Sequence, residues 1–360
     1  MPTCTVQGDN GSGRLSFRGL RTASRMINLG IVGLGPVWEN RYRPVLEKLR
    51  HRVRVRAVFD PIANRCEQVA FDFGATPYQG VSALLAQEDL RGILVFDTSW
   101  HGNALLHFVR KARKPAYIAG SLGEDWDELS QLRSLVNSEG LLIMPEFSRR
   151  YTPATCRLRE LIATRLGRPR HILIQAVPPP PDARDAVPGQ AAGTDFLVGL
   201  LDWCRYVVRS NTVRLEAGPL PSEAAHEGPR WIAIEFAEGR TAGRRPTVQL
   251  ELRNPPPATG QDPVPASPVR FQVTCERGEA ILEGPAQIRW TVTGGGGGTE
   301  SLTSDRCEVE VMIDHFCRRL VGGLIPIADI SDVCRCLRLV RAAKESHAKR
   351  APIELNGDVA

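Results

Sequence analysis

The spacing of apolar residues changes near residue 150 of the chain. Before that point, short apolar runs such as 27–32 and 92–95 alternate with segments whose apolar residues recur every three or four positions. Strands separated by helices of this length predict a parallel sheet with right-handed crossovers. After residue 150, apolar and polar residues alternate over short segments such as 231–236 and 247–252, which predicts a mostly antiparallel sheet.

The predicted fold class is therefore α/β: a doubly wound parallel sheet followed by an α+β domain with an open, mostly antiparallel sheet. We expect residues 26–148 to form the first domain and residues 149–356 the second, which would provide substrate and oligomer contacts. Residues 1–25 are polar and precede Met26, so we expect a disordered tail or a mis-assigned start. The five glycines at 294–298 are expected to be a flexible link.

Composition excludes several classes of protein. No run of about 18 apolar residues occurs among the 360, so we expect no membrane span. The formal net charge is +6, and half of it falls in the N-terminal tail, so we expect no nucleic-acid partner. The nine cysteines are scattered and none forms a Cys-x-x-Cys pair. That pattern predicts reduced thiols in a cytoplasmic protein and no metal site.

The stretch from Leu29 to Trp38, LGIVGLGPVW, reads as a strand that enters a glycine turn and then a helix. Gly33 would permit the tight turn, and Gly35 would let a pyrophosphate approach the helix N-terminus. Asp60 ends the second strand, where its carboxylate would accept hydrogen bonds from the ribose hydroxyls and repel a 2′-phosphate. The pattern favours NAD, although nearby Arg65 leaves NADP open. The alternative is a domain of this kind that binds nothing.

Trp38 stands where this turn usually has a third small residue. The indole would either push the helix away from the strand or point outward over the dinucleotide site. We expect the outward orientation, because helical spacing places Trp38 over Tyr42.

Longer blocks resemble the glucose–fructose oxidoreductase / inositol dehydrogenase / MocA family (Gfo/Idh/MocA). They are GIVGLG, VFDP with FGATPYQGVSALLAQEDLRGILV, EFSRRYTPATCRLRELIATRLGRPR, and DHFCRRLVGG with LRLVRAAKES. The resemblance spans about residues 27–356 and implies a Rossmann-type first domain. It also implies NAD(P)-dependent chemistry on a sugar, cyclitol or related polyol, and a homo-oligomer formed through the open C-terminal sheet. The implied cofactor contacts are Gly33, Leu34, Gly35, Pro36, Val37, Trp38, Asp60, Thr98 and Ser99.

The chain departs from the family at two catalytic positions. The family's Glu-Lys-Pro motif aligns on residues 119–121, which places Gly120 at the lysine. The family's Asp-x-Gly-x-His-x-x-Asp pattern aligns from Asp195 to Asp202, which places Gly199 at the histidine. Hydride transfer from an alcohol needs a base or a cation at the oxygen, and a general acid or base contributes about 10²–10⁴-fold. The two glycines therefore predict loss of most ordinary activity.

Several residues are candidates to replace the missing groups. His101 follows the fourth strand and would be a base, or simply a solvated loop histidine. Arg149 or Arg150 would hold an anionic substrate, or form interdomain salt bridges. Asp195 and Asp202, two helical turns apart, would bind polyol hydroxyls, or act as a cap and a core-edge hydrogen-bond acceptor.

Two functions remain open from the sequence, and we expect the first, because the retained glycines, Asp60 and both aspartates favour it, although the missing lysine and histidine favour the second. One is an NAD(P)-binding oxidoreductase-like protein that acts on a sugar-like small molecule with altered catalytic groups. The other is a catalytically degenerate sensor of a dinucleotide or sugar, or a partner subunit of an active homologue. Elimination or glycoside cleavage would need a base that the sequence does not place.

Overall fold

The computed structural model describes residues 26–123, 125–179, 193–220, 228–238, 245–254, 268–323 and 328–355. The predicted tail at residues 1–25 lies outside these ranges.

The first domain is built on a parallel sheet, as predicted. Its strands are β1 (Ile27–Val32), β2 (Val53–Phe59), β3 (Thr76–Pro77), β4 (Gly92–Val95), β5 (Ala116–Ile118) and β6 (Ile143–Pro145). They pair in the order β3-β2-β1-β4-β5-β6, and every neighbouring pair is parallel. The strand order reverses between β1 and β4, because the chain adds β2 and β3 on one side of β1 and β4 to β6 on the other. Ligands of such sheets bind in the crevice outside the strand ends at this point.

Helices follow the strands of this sheet. They are α1 (Arg43–Lys48), α2 (Ala63–Phe73), α3 (Val81–Leu85), α4 (Ala104–Lys111) and α5 (Trp126–Ser138). Residues Trp38–Tyr42, which precede α1, form a π-helical turn, and Pro44 lies in the first turn of α1. Successive residues of β1 point to opposite faces, so Ile31 and Val32 enter two separate apolar cores.

Within the described residues, the second sheet has nine strands. In chain order they are β7 (Pro169–Ala176), β8 (Thr212–Gly218), β9 (Trp231–Phe236), β10 (Thr247–Leu252), β11 (Val269–Cys275), β12 (Gly278–Glu283), β13 (Gln287–Val292), β14 (Gly297–Ser301) and β15 (Ile353–Glu354). The spatial order is β14-β13-β12-β11-β7-β10-β9-β8-β15. Only β7 and β10 pair in parallel, so the predicted mostly antiparallel sheet is confirmed.

Four helices accompany the second sheet: α6 (Pro153–Leu161), α7 (Gly193–Val208), α8 (Glu308–Leu320) and α9 (Ile330–Lys349). Helix α8 returns to the first domain, because Met312 and Phe316 pack into the core that also holds Ile31. Helix α9 packs instead into the core of the second sheet. The end of the chain thus contributes one helix to each core.

The expectation of a flexible link at the glycine run is wrong. Residues 294–296 form the turn between β13 and β14, with φ angles of 92°, 117° and 100°. Gly297 and Gly298 belong to β14 and pair with Thr291 and Trp290. A tight turn with positive φ requires glycine, so the run serves a hairpin rather than a linker.

The cysteines of the described residues form no disulfide, and six of these eight thiols are buried. Burial raises the pKa of Cys275 to about 12 and that of Cys334 to about 11. Across the described residues, no helix is both long and apolar enough to cross a membrane.

Candidate functional site

The glycine turn after β1 is held against the end of β4. Gly33 and Gly35 have φ angles of 66° and 71°, a region that favours glycine. A Cβ at Gly33 would lie 2.5 Å from the carbonyl oxygen of Asp97, and one at Gly35 would lie 3.0 Å from that of Phe96. Both glycines are therefore required by the backbone itself. The turn keeps the close approach that a pyrophosphate needs.

Asp60 fixes this turn from the neighbouring strand. Its carboxylate is 5% exposed and accepts hydrogen bonds from the backbone N–H of Leu34 at 2.8 Å and of Ile62 at 2.9 Å. The Arg65 guanidinium donates to the carbonyl of Gly35 at 2.7 Å. Asp60 thus shapes the turn in addition to its predicted ribose contact, for which its remaining lone pairs are suited.

The predicted outward orientation of Trp38 is wrong. Its side chain is only 2% exposed, and its ring lies 6.0 Å from that of Phe73 and 5.7 Å from that of Phe96. Burying an indole against other aromatic rings stabilises the fold more than leaving it in water. The helix start accommodates the ring by widening, because the N–H of Arg43 donates to the Trp38 carbonyl five residues earlier. Trp38 therefore does not cover the cofactor turn.

A cleft of about 720 Å³ opens between the glycine turn and the start of α7. It is within the usual size range of small-molecule sites. It brings together six of the predicted site residues: Pro36, Val37, Thr98, Ser99, Arg149 and Asp195. Both missing catalytic positions, Gly120 and Gly199, also line it. Within the described part of the chain, its lining contains neither lysine nor histidine.

His101 is not part of this lining. Its ring instead packs edge-on against Phe59 at the end of β2, with 5.9 Å between ring centroids. Phe59 precedes Asp60, so His101 lies towards the predicted ribose end of the crevice. The structure does not bring His101 to the position that a base in the cleft would need.

Asp202 is also outside the cleft. Its side chain is 1% exposed and accepts two hydrogen bonds from Arg150, one of them from Nε at 2.8 Å. Arg150 also pairs with Asp332 at 3.0 Å. Burial raises the pKa of Asp202 to about 6 despite the neighbouring guanidinium. The prediction that Asp202 binds polyol hydroxyls is therefore wrong, because both carboxylate oxygens face an internal ion pair.

Asp195, by contrast, stays in the cleft. The hydroxyl of Ser121, from the loop after β5, donates to its carboxylate at 2.9 Å. This hydrogen bond joins the two domains across the cleft. Of the two aspartates retained from the family pattern, only Asp195 is placed to contact a ligand.

The two glycines that the resemblance aligns with the family's lysine and histidine have very different surroundings. A Cβ at Gly120 would lie 2.5 Å from Oγ1 and 2.8 Å from the backbone nitrogen of Thr98. The Thr98 hydroxyl itself donates to the carbonyl of Ser121 at 2.6 Å. A Cβ at Gly199 would meet nothing within 4 Å. The backbone thus excludes a lysine at the first position, while the second has open space.

A polar network that the sequence did not reveal lies at the floor of the cleft. Glu146 accepts hydrogen bonds from Tyr117 at 2.5 Å and from Tyr42 at 3.3 Å. It also pairs with Arg41 at 2.5 Å, and Arg41 reaches Glu308 on α8 at 3.3 Å. Burial and the charge of Glu146 raise the pKa of both tyrosines well above the usual range, so both stay protonated. No sequence signal relates these residues, because they come from distant segments.

Arg149 lines the same cleft without a carboxylate partner among the described residues. Its Nε is buried and makes no hydrogen bond, and its guanidinium lies 5.5 Å from the centre of the Phe196 ring. Burial lowers the pKa of Arg149 to about 10. The neighbouring Arg150 is paired with acidic side chains. Of the two arginines that the sequence left as alternatives, Arg149 is therefore the one that faces the cleft without such a partner among the described residues.

A winding reversal, a glycine turn and an adjacent interdomain cleft together define a fold of the dinucleotide-binding type. Residues 27–119 match the model of the Gfo/Idh/MocA family, described as an oxidoreductase family with an NAD-binding Rossmann fold. The family resemblance is confirmed over this domain. The NAD-binding character of the family agrees with the predicted cofactor.

Solved structures extend the similarity over both domains. An oxidoreductase from Agrobacterium radiobacter, in complex with NAD+, L-tartaric acid and magnesium, is 15% identical with a TM-score of 0.74, covering 91% of this chain and 98% of that one. Aldose-aldose oxidoreductase from Caulobacter crescentus is 14% identical with a TM-score of 0.72 and coverages of 92% and 100%.

The third similar structure is not described as an oxidoreductase. The transcriptional regulator Gal80p from Kluyveromyces lactis is 12% identical, with a TM-score of 0.73 and 92% coverage of both chains. At these identities the likeness shows a shared fold. No curated protein matches the sequence.

Proposed function

We propose that the protein binds an NAD-type dinucleotide and a sugar-like ligand in its cleft but does not catalyse hydride transfer between them. Its role would be that of a ligand sensor or a partner subunit. The observation that carries this proposal is Gly120, because a side chain at the family's lysine position would collide with Thr98.

The cofactor half of the cleft supports dinucleotide binding. Gly33 and Gly35 let the turn pack tightly on the residues after β4, and Pro36 and Val37 carry the same turn into the cleft, where a helix start would hold the pyrophosphate. Asp60 would meet the adenine-side ribose, and Thr98 and Ser99 line the cleft towards the nicotinamide end. Bound NAD+ would supply a hydride acceptor. Asp60 favours NAD, and Arg65 beside Gly35 is the residue that would tolerate NADP.

The substrate half lacks the two basic residues that the resemblance implies for catalysis. In the described chain, its lining has no lysine or histidine, His101 lies elsewhere, and Asp202 is bound by Arg150. Loss of a general acid or base costs about 10²–10⁴-fold in rate. A regulator of similar fold, Gal80p, supports a role of this class by analogy only.

The test combines calorimetry with a turnover assay on the full chain. We expect NAD+ and NADH to bind in the micromolar range, with NADP+ and NADPH weaker. We expect no formation of NADH with a panel of sugars, cyclitols and polyols. Steady NADH formation with any member would overturn the proposal, as would failure of all four nucleotides to bind.

A second candidate function is an oxidoreductase with a different proton donor. Tyr42 lines the cleft and carries a proton that could pass to a carbonyl oxygen during reduction. Its hydroxyl donates to Glu146 and its raised pKa makes it a weak acid, so this function ranks second. If this function holds, Tyr42→Phe should abolish reduction while leaving NADH affinity unchanged. Equal turnover in the variant would dismiss Tyr42 as the acid.

We also propose a homo-oligomer formed through the open face of the second sheet. Half-buried apolar side chains, including Leu173 and Ile281, lie on this face beside Gln175 and Gln249. Unpaired thiols favour the cytoplasm as its compartment. Light scattering after size exclusion would test the assembly, and a purely monomeric protein would contradict it.

A further inference from the structure

Two arginines line the cleft, and they differ in their partners. Arg41 pairs with Glu146 and Glu308. Arg149 faces the ring of Phe196 and, among the described residues, has no carboxylate within ion-pair distance. Arg149 is thus a cation of the cleft whose charge the described protein does not compensate.

An uncompensated cation in a largely buried position destabilises the folded protein. The low pKa of Arg149 has the same origin, since burial opposes its charge and no acid restores it. A lysine in this place would keep the positive charge, and a glutamine would remove it. Neither side chain would offer the planar, forked set of donors that a guanidinium has. The guanidinium is matched instead to a carboxylate or phosphate group, which it binds through two parallel hydrogen bonds.

The other charges of the cleft distinguish between these two anions. Glu146 is balanced by Arg41, whereas Asp97, in the same lining as Arg149, has no ion pair among the described residues. A phosphate dianion would face this acid with a single guanidinium to hold it. A carboxylate monoanion matches the single charge of Arg149. The oxygens of Asp195 and Ser121 also offer acceptor lone pairs for hydroxyl groups.

We propose that Arg149 binds the carboxylate of a polyhydroxy acid, of the aldonic or uronic type, in this cleft. The inference rests on the proposed function only in using the cleft as the ligand site, and it deepens that function by naming the ligand class. Asp195 and Ser121 bind hydroxyls of the same molecule, and Phe196 packs beside the carboxylate end.

The experiment is calorimetric titration of the full chain, saturated with NAD+, with three matched compounds. D-gluconate carries the carboxylate, D-glucitol replaces it with a neutral CH₂OH group, and D-glucitol 6-phosphate carries a phosphate ester. A wider set of C4–C7 polyhydroxy carboxylates, each with its alditol, covers differences in length. The variants are Arg149→Met and Arg149→Lys, with Arg54→Met on the exposed face of β2 as the matched control.

We expect at least one carboxylate to bind at least about 10-fold more tightly than its alditol, a difference of ~1.4 kcal/mol. Arg149→Met should remove this preference, Arg149→Lys should restore part of it, and Arg54→Met should leave it intact. Selective binding of the phosphate ester through Arg149 would overturn the carboxylate assignment. Equal affinity for acids and alditols, no binding by any acid, or unchanged affinity in Arg149→Met would also overturn it.

Parallel measurements separate this inference from the proposed function. NADH affinity and turnover are determined for the same preparations. Normal NADH binding without turnover, together with no preference for acids, would leave the proposed function standing and remove the ligand assignment. Turnover of a polyhydroxy acid would overturn the proposed function and leave the ligand assignment standing.

Discussion

The two halves of the cleft use glycine for opposite reasons. Around the cofactor turn, Gly33 and Gly35 let the backbone pack directly against the residues that follow β4. In the ligand half, Gly120 and Gly199 are the positions that the resemblance aligns with the family's lysine and histidine. The first pair maintains the shape of the turn, and under the proposed function the second pair marks the absence of catalytic groups. The proposed function therefore separates binding from catalysis in this fold.

The ligand half is not uniform either. At Gly120 the loop after β5 lies so close to Thr98 that a Cβ would collide with it. At Gly199 the helix leaves open space towards the cleft. Restoring a histidine is sterically simple, whereas restoring the lysine requires a new loop path. If lysine and histidine are introduced together by point substitution, the lysine at Gly120 should therefore not be accommodated.

Gly33→Ala is expected to have the largest effect. The new Cβ would meet the Asp97 carbonyl at 2.5 Å in a backbone with φ of 66°, so the turn must open. NADH affinity should fall by at least about 100-fold, equivalent to ~3 kcal/mol. Titration with NADH measures the loss. Gly80→Ala, where a Cβ meets nothing within 4 Å, is the control and should bind normally. Unchanged affinity in Gly33→Ala would remove the turn from the site.

Gly120→Ala should lower the free energy of unfolding by about 1–3 kcal/mol, the usual range for overpacking. The strain arises because the Cβ would lie 2.5 Å from the Thr98 hydroxyl, which is already hydrogen-bonded to Ser121. Urea unfolding provides the measurement. A variant as stable as the natural protein would show that the loop yields easily, and the argument against a lysine there would lose its basis.

Arg149→Met should raise the free energy of unfolding by about 1–2 kcal/mol while removing ligand binding. Burial lowers the folded-state pKa of Arg149 to about 10, below that of the unfolded chain, so the charged form destabilises the fold. The penalty is complete below pH 10, where both states hold the proton, and declines as the pH rises above 10. Urea unfolding at pH 7 and above pH 10 should show the gain shrinking. A loss of stability at neutral pH would indicate a partner for Arg149.

Gly199→Ala should give the smallest change, and in the stabilising direction. Gly199 lies inside α7 with open space around its Cβ position, so alanine restricts the unfolded chain without a clash. A gain of about 0.5–1 kcal/mol is expected from helix propensity alone. The change in the free energy of unfolding should therefore have opposite signs for the alanine variants at Gly199 and Gly120, measured under identical conditions. Changes of equal sign would contradict the comparison.

The sequence predicts features that depend on neighbours along the chain. The parallel sheet of the first domain, the glycine turn at Gly33 and Gly35, and the antiparallel second sheet all follow from local periodicity and turn chemistry. The expectation for the glycine run at 294–298 fails for a local reason as well. Flexible links and tight hairpins share a composition, and only strand pairing distinguishes them.

Features set by distant partners were not predictable. The inward rotation of Trp38 depends on Phe73 and Phe96, which no pattern connects to it. Asp202 and Arg150, 52 residues apart, lose their place in the site because they bind each other. Such pairings come from tertiary packing, which overrides the helical spacing that suggested a shared face.

The most direct test of the account is a single-turnover measurement on the full chain. NAD+ is first shown by calorimetry to bind, and the complex is then mixed with the polyols and polyhydroxy acids while NADH absorbance is followed. The account predicts bound nucleotide and no NADH. Formation of one equivalent of NADH per chain would contradict it, and would show that the cleft contains a proton acceptor despite Gly120 and Gly199.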